Sequence, residues 1–119
     1  MISVLYVDDE PINLKLFELN FQRTFNVTTA LSGFEGLEIL KNNQQISIVV
    51  SDMRMPEMDG LEFIGKAKER FPNIIFYLLT GYDITEEISE ALDNRLIAKY
   101  FRKPSNNKEI ESTITNALS

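Results

Sequence analysis

The chain of 119 residues contains no cysteine and no histidine. The first absence excludes disulfides, thiolate catalysis and thiolate zinc sites. The second removes the side chain most used as a base or metal ligand near neutral pH, so any histidine taking part in chemistry here belongs to a partner. Basic charge is also scarce: 12 Lys and Arg stand against 18 Asp and Glu, a net charge of −6. Such a surface lacks the cations that generic nucleic-acid binding needs to neutralise phosphates. No run approaches the ~20 apolar residues of a membrane span. Met1–Val7 lacks the basic start of a secretory signal, and two acids follow it directly. A cytoplasmic location is expected. Any metal is left with oxygen ligands, which favour hard cations such as Mg²⁺.

What is present suits one domain. The length fits a single core, and a hydrophobic content of 44% with 25% charged residues reads as a globular chain. Residues 1–119 are therefore taken as one domain, with no second, output-bearing domain. Apolar runs alternate with amphipathic segments. Strands are expected at Ser3–Val7, Phe25–Ala30, Ile46–Ser51, Ile74–Leu79 and Lys99–Arg102. Between them, Leu14, Phe17 and Phe21 recur at helical spacing after Pro11, with Asp9 as a candidate N-cap. Leu37 and Leu40 mark a second helix over Glu35–Asn42, and Asp59-Gly60 opens a third. Ile84, Ile88, Ala91 and Leu92 mark a fourth. Glu109–Leu118 forms the last, with Asn106 as N-cap and Glu109 at the capping-box position. Five such units predict an α/β fold, a parallel sheet covered by helices on both faces.

In open α/β sheets, ligands bind beyond the carboxyl ends of the strands. The first strand delivers Asp8, Asp9 and Glu10 there, the third Asp52, the fourth Thr80 and the fifth Lys103. Each has an ordinary reading: Asp8, Asp9 and Thr80 as helix caps, Asp52 as a loop acid, Lys103 as a solvated charge. Together they are less ordinary. Clustered carboxylates repel unless a cation or proton joins them, and a divalent ion would admit a phosphoryl group between it, the Thr80 hydroxyl and the Lys103 ammonium. One carboxylate would then be the nucleophile. Asp52 suits that role, since the adjacent pair Asp8 and Asp9 suits the metal.

Four segments resemble the receiver domains of response regulators in two-component signalling: Leu5-Tyr6-Val7-Asp8-Asp9-Glu10, Asp52-Met53-Arg54-Met55-Pro56 with Asp59-Gly60, Leu79-Thr80-Gly81, and Tyr100-Phe101-Arg102-Lys103-Pro104. The resemblance covers essentially the whole chain. It implies a flavodoxin-like (βα)5 doubly wound sheet of five parallel strands, order 2-1-3-4-5. It implies Asp52 as acceptor of a phosphoryl group from a phosphohistidine on a histidine kinase or histidine phosphotransfer protein. Asp9, Asp52 and the Arg54 carbonyl would ligate Mg²⁺ or Mn²⁺, with Asp8 reaching it through water. Thr80 and Lys103 would bind the phosphoryl group, and the Lys103–Pro104 peptide would be cis. Tyr100 would be the aromatic switch of a face formed by the fourth helix, fifth strand and fifth helix. The protein would be a regulatory phospho-acceptor rather than an enzyme, assisting its own phosphorylation and dephosphorylation. A second receiver copy is admitted as a partner, and neither nucleic acid nor membrane is expected to be contacted directly.

Some features depart from the common receiver pattern. Ser105 follows Pro104 where many receivers carry a large apolar residue, and Asn94–Lys99 replaces a frequent Gly-Ala turn. The last helix holds no Arg, unlike regulators that dimerise through basic residues there to bind DNA, which argues against a DNA-binding output of that class. Arg54 and Tyr82 are expected to gate the attacking water and slow loss of the phosphoryl group. Asp83, Glu86, Glu87, Glu90 and Asp93 give the fourth helix an acidic face, either solvated or a docking surface for a basic partner. The competing readings are a haloacid-dehalogenase-type phosphatase, disfavoured by Arg54 where a second Asp is needed, and a flavin carrier, disfavoured by acids where a phosphate must sit. A degenerate receiver acting as a phosphorylation-independent interaction module is the remaining alternative.

Overall fold

All strand pairings are parallel, and the strands lie in the order β2-β1-β3-β4-β5. The computed structural model describes residues 1–81 and 84–118. Along it run β1 (Ser3–Val7), α1 (Pro11–Phe21), β2 (Asn26–Ala30), α2 (Gly33–Asn42), β3 (Ile46–Asp52), α3 (Gly60–Arg70), β4 (Ile75–Thr80), α4 (Glu86–Asp93), β5 (Lys99–Arg102) and α5 (Asn107–Ala117). The architecture is the doubly wound, flavodoxin-like α/β sheet expected from the sequence. Among the described residues, no helix is long and apolar enough to cross a membrane.

Alternation along the strands sorts the core into two layers. On one face Val4, Tyr6, Ile48, Val50, Tyr77, Leu79 and Phe101 pack with Leu14, Phe17 and Phe21 of α1 and Ile110 and Ile114 of α5. This layer is aromatic: Tyr6 stacks on Phe17, and Phe21 sits between Phe17 and Phe25. On the other face Leu5, Val7, Val49, Phe76 and Leu78 pack with Leu40 of α2, Phe63, Ile64 and Ala67 of α3, and Ile88 and Ala91 of α4. The central strands β1, β3 and β4 are buried on both sides, which explains their nearly continuous apolar sequence.

Caps set where the helices begin. Ser32, Asp59, Thr85 and Asn106 each accept backbone N–H groups from the first turn of their helix. Two expectations are corrected. Glu10, not Asp9, holds the cap position of α1, and its side chain makes no capping bond. Pro11 has no N–H to satisfy there, so the acids before it are free of that duty. Ile84 lies ahead of the Thr85 cap and is exposed, outside α4. The Glu109 carboxylate lies 3.9 Å from Lys99 Nζ, so it serves a cross-element ion pair.

Three backbone hydrogen bonds extend the ladder past the strand ends. Asp8 N–H donates to Ala30 O (3.1 Å), Met53 N–H to Leu79 O (3.1 Å) and Lys103 N–H to Thr80 O (2.7 Å). At the start of α3, Gly60 N–H donates to Met53 O at 2.8 Å. A Cβ at position 60 would run into the Asp52 carbonyl oxygen. Only glycine lets the α3 start come this close to the end of β3.

Candidate functional site

The buried polar residues among those described are Asp8, Ser51, Asp52 and Thr80. All four stand at the carboxyl ends of β1, β3 and β4. Adjacent pairing of β1 with β3 brings the acids together: one carboxylate oxygen from each of Asp8, Asp9 and Asp52 lies within 4.8 Å of the others. Lys103, just past β5, places Nζ 2.7 Å from Asp52 Oδ1 and 3.9 Å from Asp8 Oδ2. An open cleft of about 390 Å³ is lined by Asp9, Asp52, Arg54, Thr80 and Lys103. A neighbouring cavity of about 440 Å³ runs from Arg54 and Thr80 to Thr85, Glu87 and Ile88. The larger cavity of about 520 Å³ lies at the opposite edge, between Leu40, Gln45, Arg70 and Asn73, and gathers no acid.

The electrostatics follow from burial. Desolvation pushes the Asp52 carboxyl above its ordinary range, the hydrogen bond from Lys103 pulls it down, and the charge of Asp8 pushes it up again. The rise is what remains, so burial of the Asp52 carboxylate outweighs its pairing with Lys103. The donor set is entirely oxygen, which fits a hard divalent cation rather than zinc or copper.

The structure gathers Asp8, Asp9, Asp52, Thr80 and Lys103 at one edge. Arg54 is exposed at the rim of the cleft. Tyr100 is half-buried against the α2–α4 layer. The Lys103–Pro104 peptide bond is cis. Tyr82, named as a gate, and Asp83, named in the acidic face, lie outside the described residues. Sequence reasoning did not single out Tyr6, whose buried hydroxyl donates to Asp8 Oδ2 at 2.7 Å. The signal was available: positions 6 and 8 are two apart on a strand, and such residues share a face.

Comparison with known proteins agrees with this picture. The family model described as the response regulator receiver domain matches residues 4–115. The chain is 30% identical to the hydrogenase transcriptional regulatory protein HoxA of Cupriavidus necator, over 98% of this chain and 24% of that protein. It is 32% identical to the transcriptional regulatory protein GlrR of Escherichia coli, over 97% of this chain and 26% of that protein. The chain thus spans about a quarter of the length of these curated relatives. A response regulator receiver domain protein of Clostridium thermocellum has a crystal structure that superposes with a TM-score of 0.92 at 28% identity, covering 99% of this chain and 94% of that one. Receiver domains are regulatory, bind Mg²⁺ at an acidic pocket, and interact with histidine kinases or phosphotransfer proteins. With the family match running from the first strand into the last helix, the chain belongs to the response regulator receiver domains of two-component signalling.

Proposed function

We propose that this receiver accepts a phosphoryl group on Asp52 from a phosphohistidine of a histidine kinase or histidine phosphotransfer protein. The observation that carries the reading is the buried Asp52 carboxylate, beside Asp8 and Asp9, with the Lys103 ammonium 2.7 Å from its Oδ1. An Asp52 oxygen attacks phosphorus, the new O–P bond forms, and the P–N bond breaks. Its electron pair leaves with the imidazole nitrogen, which takes a proton. Lys103 then passes from the carboxylate to a phosphoryl oxygen, and the Thr80 hydroxyl donates to another. Asp9, Asp52 and the main-chain carbonyl of Arg54 would hold Mg²⁺ or Mn²⁺, with Asp8 acting through a water. The ion, when bound, supplies neutralisation of the clustered negative charge. Because the new group is a dianion, it biases Thr80 and Tyr100 toward a second packing and alters the face of α4, β5 and α5. The protein is read as a regulatory phospho-acceptor, with a second receiver copy as an admitted partner and no direct contact with nucleic acid.

Incubation with Mg²⁺ and acetyl phosphate, followed by intact-mass measurement, tests the reading. Wild type gains one phosphoryl group and Asp52→Asn gains none. Wild type that gains nothing favours an interaction module independent of phosphorylation.

A further inference from the structure

Tyr6 is 2% exposed and Asp8 is fully buried. The Tyr6 ring stacks on Phe17 of α1, centroids 4.2 Å apart, which fixes where its hydroxyl can reach. That hydroxyl donates to Asp8 Oδ2 at 2.7 Å, while the Glu10 N–H donates to Asp8 Oδ1 at 3.0 Å. Both oxygens of Asp8 are therefore held. Oδ2 also faces Lys103 Nζ at 3.9 Å, the same ammonium that Asp52 Oδ1 holds at 2.7 Å. Two buried carboxylates compete for one cation, and the tyrosine supplies the second donor.

We propose that Tyr6 is a positioning residue of the acid pocket, whose hydroxyl holds Asp8 in place for the divalent cation and leaves Lys103 to Asp52 and the phosphoryl oxygens. The inference rests on the phospho-acceptor reading above. Its physical basis is the cost of removing one partner of a buried charged hydrogen bond. Without the hydroxyl, Asp8 Oδ2 is relieved by turning toward Lys103, which draws the ammonium from Asp52. Partners that orient ligating side chains affect metal affinity by roughly 10–100-fold on removal. Asp8, expected to act through water, belongs at the lower end.

Tyr6→Phe keeps the ring and its stacking on Phe17 and removes only the donor. Mg²⁺ affinity by calorimetry and acetyl phosphate labelling by intact mass are compared for wild type, Tyr6→Phe, Asp8→Asn, the double variant and Tyr77→Phe. Tyr77 lies in the same aromatic layer, and its loss of a hydroxyl leaves both readouts unchanged. Tyr6→Phe binds Mg²⁺ about tenfold more weakly and labels more slowly. In the Asp8→Asn background it changes neither, because its effect passes through Asp8. If Tyr6→Phe matches wild type, or costs as much beside Asp8→Asn as alone, the inference is overturned while wild-type labelling still upholds the phospho-acceptor reading. Wild type that neither binds Mg²⁺ nor takes up phosphoryl overturns both.

Discussion

Val4, Leu5 and Val7 of β1 are buried among apolar side chains, and one residue further Asp8 is equally buried but carries a charge. The same step recurs on β3, from Val49 and Val50 to Asp52, and on β4, from Leu78 and Leu79 to Thr80. The interior and the carboxyl edge of this sheet share their burial and differ in what burial does. Inside, each Å² of apolar area removed from water contributes about 25 cal/mol. At the edge, removing carboxylates from water costs free energy that Lys103 offsets only in part. The interior holds the fold, and the edge holds a cluster of buried carboxylates that burial alone would disfavour.

The comparison is broken most severely from the inside. Phe63 is fully buried on the α3 face and lies against Gly36. Phe63→Ala is expected to cost about 3–5 kcal/mol, read as a lower urea midpoint, while the fraction still folded keeps its Mg²⁺ affinity. An equal loss of affinity would show that core and edge are not separable.

At the edge the sign reverses. Burial raises the folded pKa of Asp52 above its ordinary value, so the folded state favours the protonated form more than the unfolded chain does. The stability this group contributes is fully present below the unfolded pKa and is lost as pH rises through the folded one. Asparagine cannot ionise and loses nothing. With EDTA present, Asp52→Asn therefore melts above wild type at pH 7, and the difference narrows as the pH is lowered toward 4. A variant that melts below wild type at neutral pH would mean that the ion pair with Lys103 outweighs the burial of the charge.

The smallest effect lies away from both regions. Arg95, after α4, has φ 64°, a left-handed backbone conformation that costs a non-glycine residue roughly 1 kcal/mol. Arg95→Gly relieves that strain but enlarges the freedom of the unfolded chain. A rise in melting temperature corresponding to about 0.5 kcal/mol is expected, with acetyl phosphate labelling unchanged. Altered labelling would tie the α4–β5 turn to the edge.

Strand positions were legible because three central strands buried on both faces leave little choice but continuous apolar sequence, as in Ile75–Leu79. The gathering of Asp8, Asp9, Asp52, Thr80 and Lys103 was legible because parallel strands all deliver their last residues to one edge. What escaped were properties decided by neighbours distant in sequence or by local geometry. Asp9 reads as a helix cap until Pro11 and Glu10 take the first turn. Ile84 continues the spacing of Ile88 and Ala91, yet the Thr85 hydroxyl starts the helix after it. Tyr6 reads as one more apolar strand residue, because the hydroxyl's role depends on how Phe17 fixes the ring. The left-handed Arg95 was foreshadowed only by the missing Gly-Ala turn.

The three backbone bonds beyond the strand ends form a directed pattern. The carbonyls at 79 and 80 each receive an amide, one from Met53 beside Asp52 and one from Lys103. The end of β4 is thus a common anchor for the strand that carries the Asp52 carboxylate and the turn that carries the Lys103 ammonium. A displacement of that segment acts on both neighbours through these two amides. In mechanical terms the edge is a linkage whose pivot spans Leu79 and Thr80.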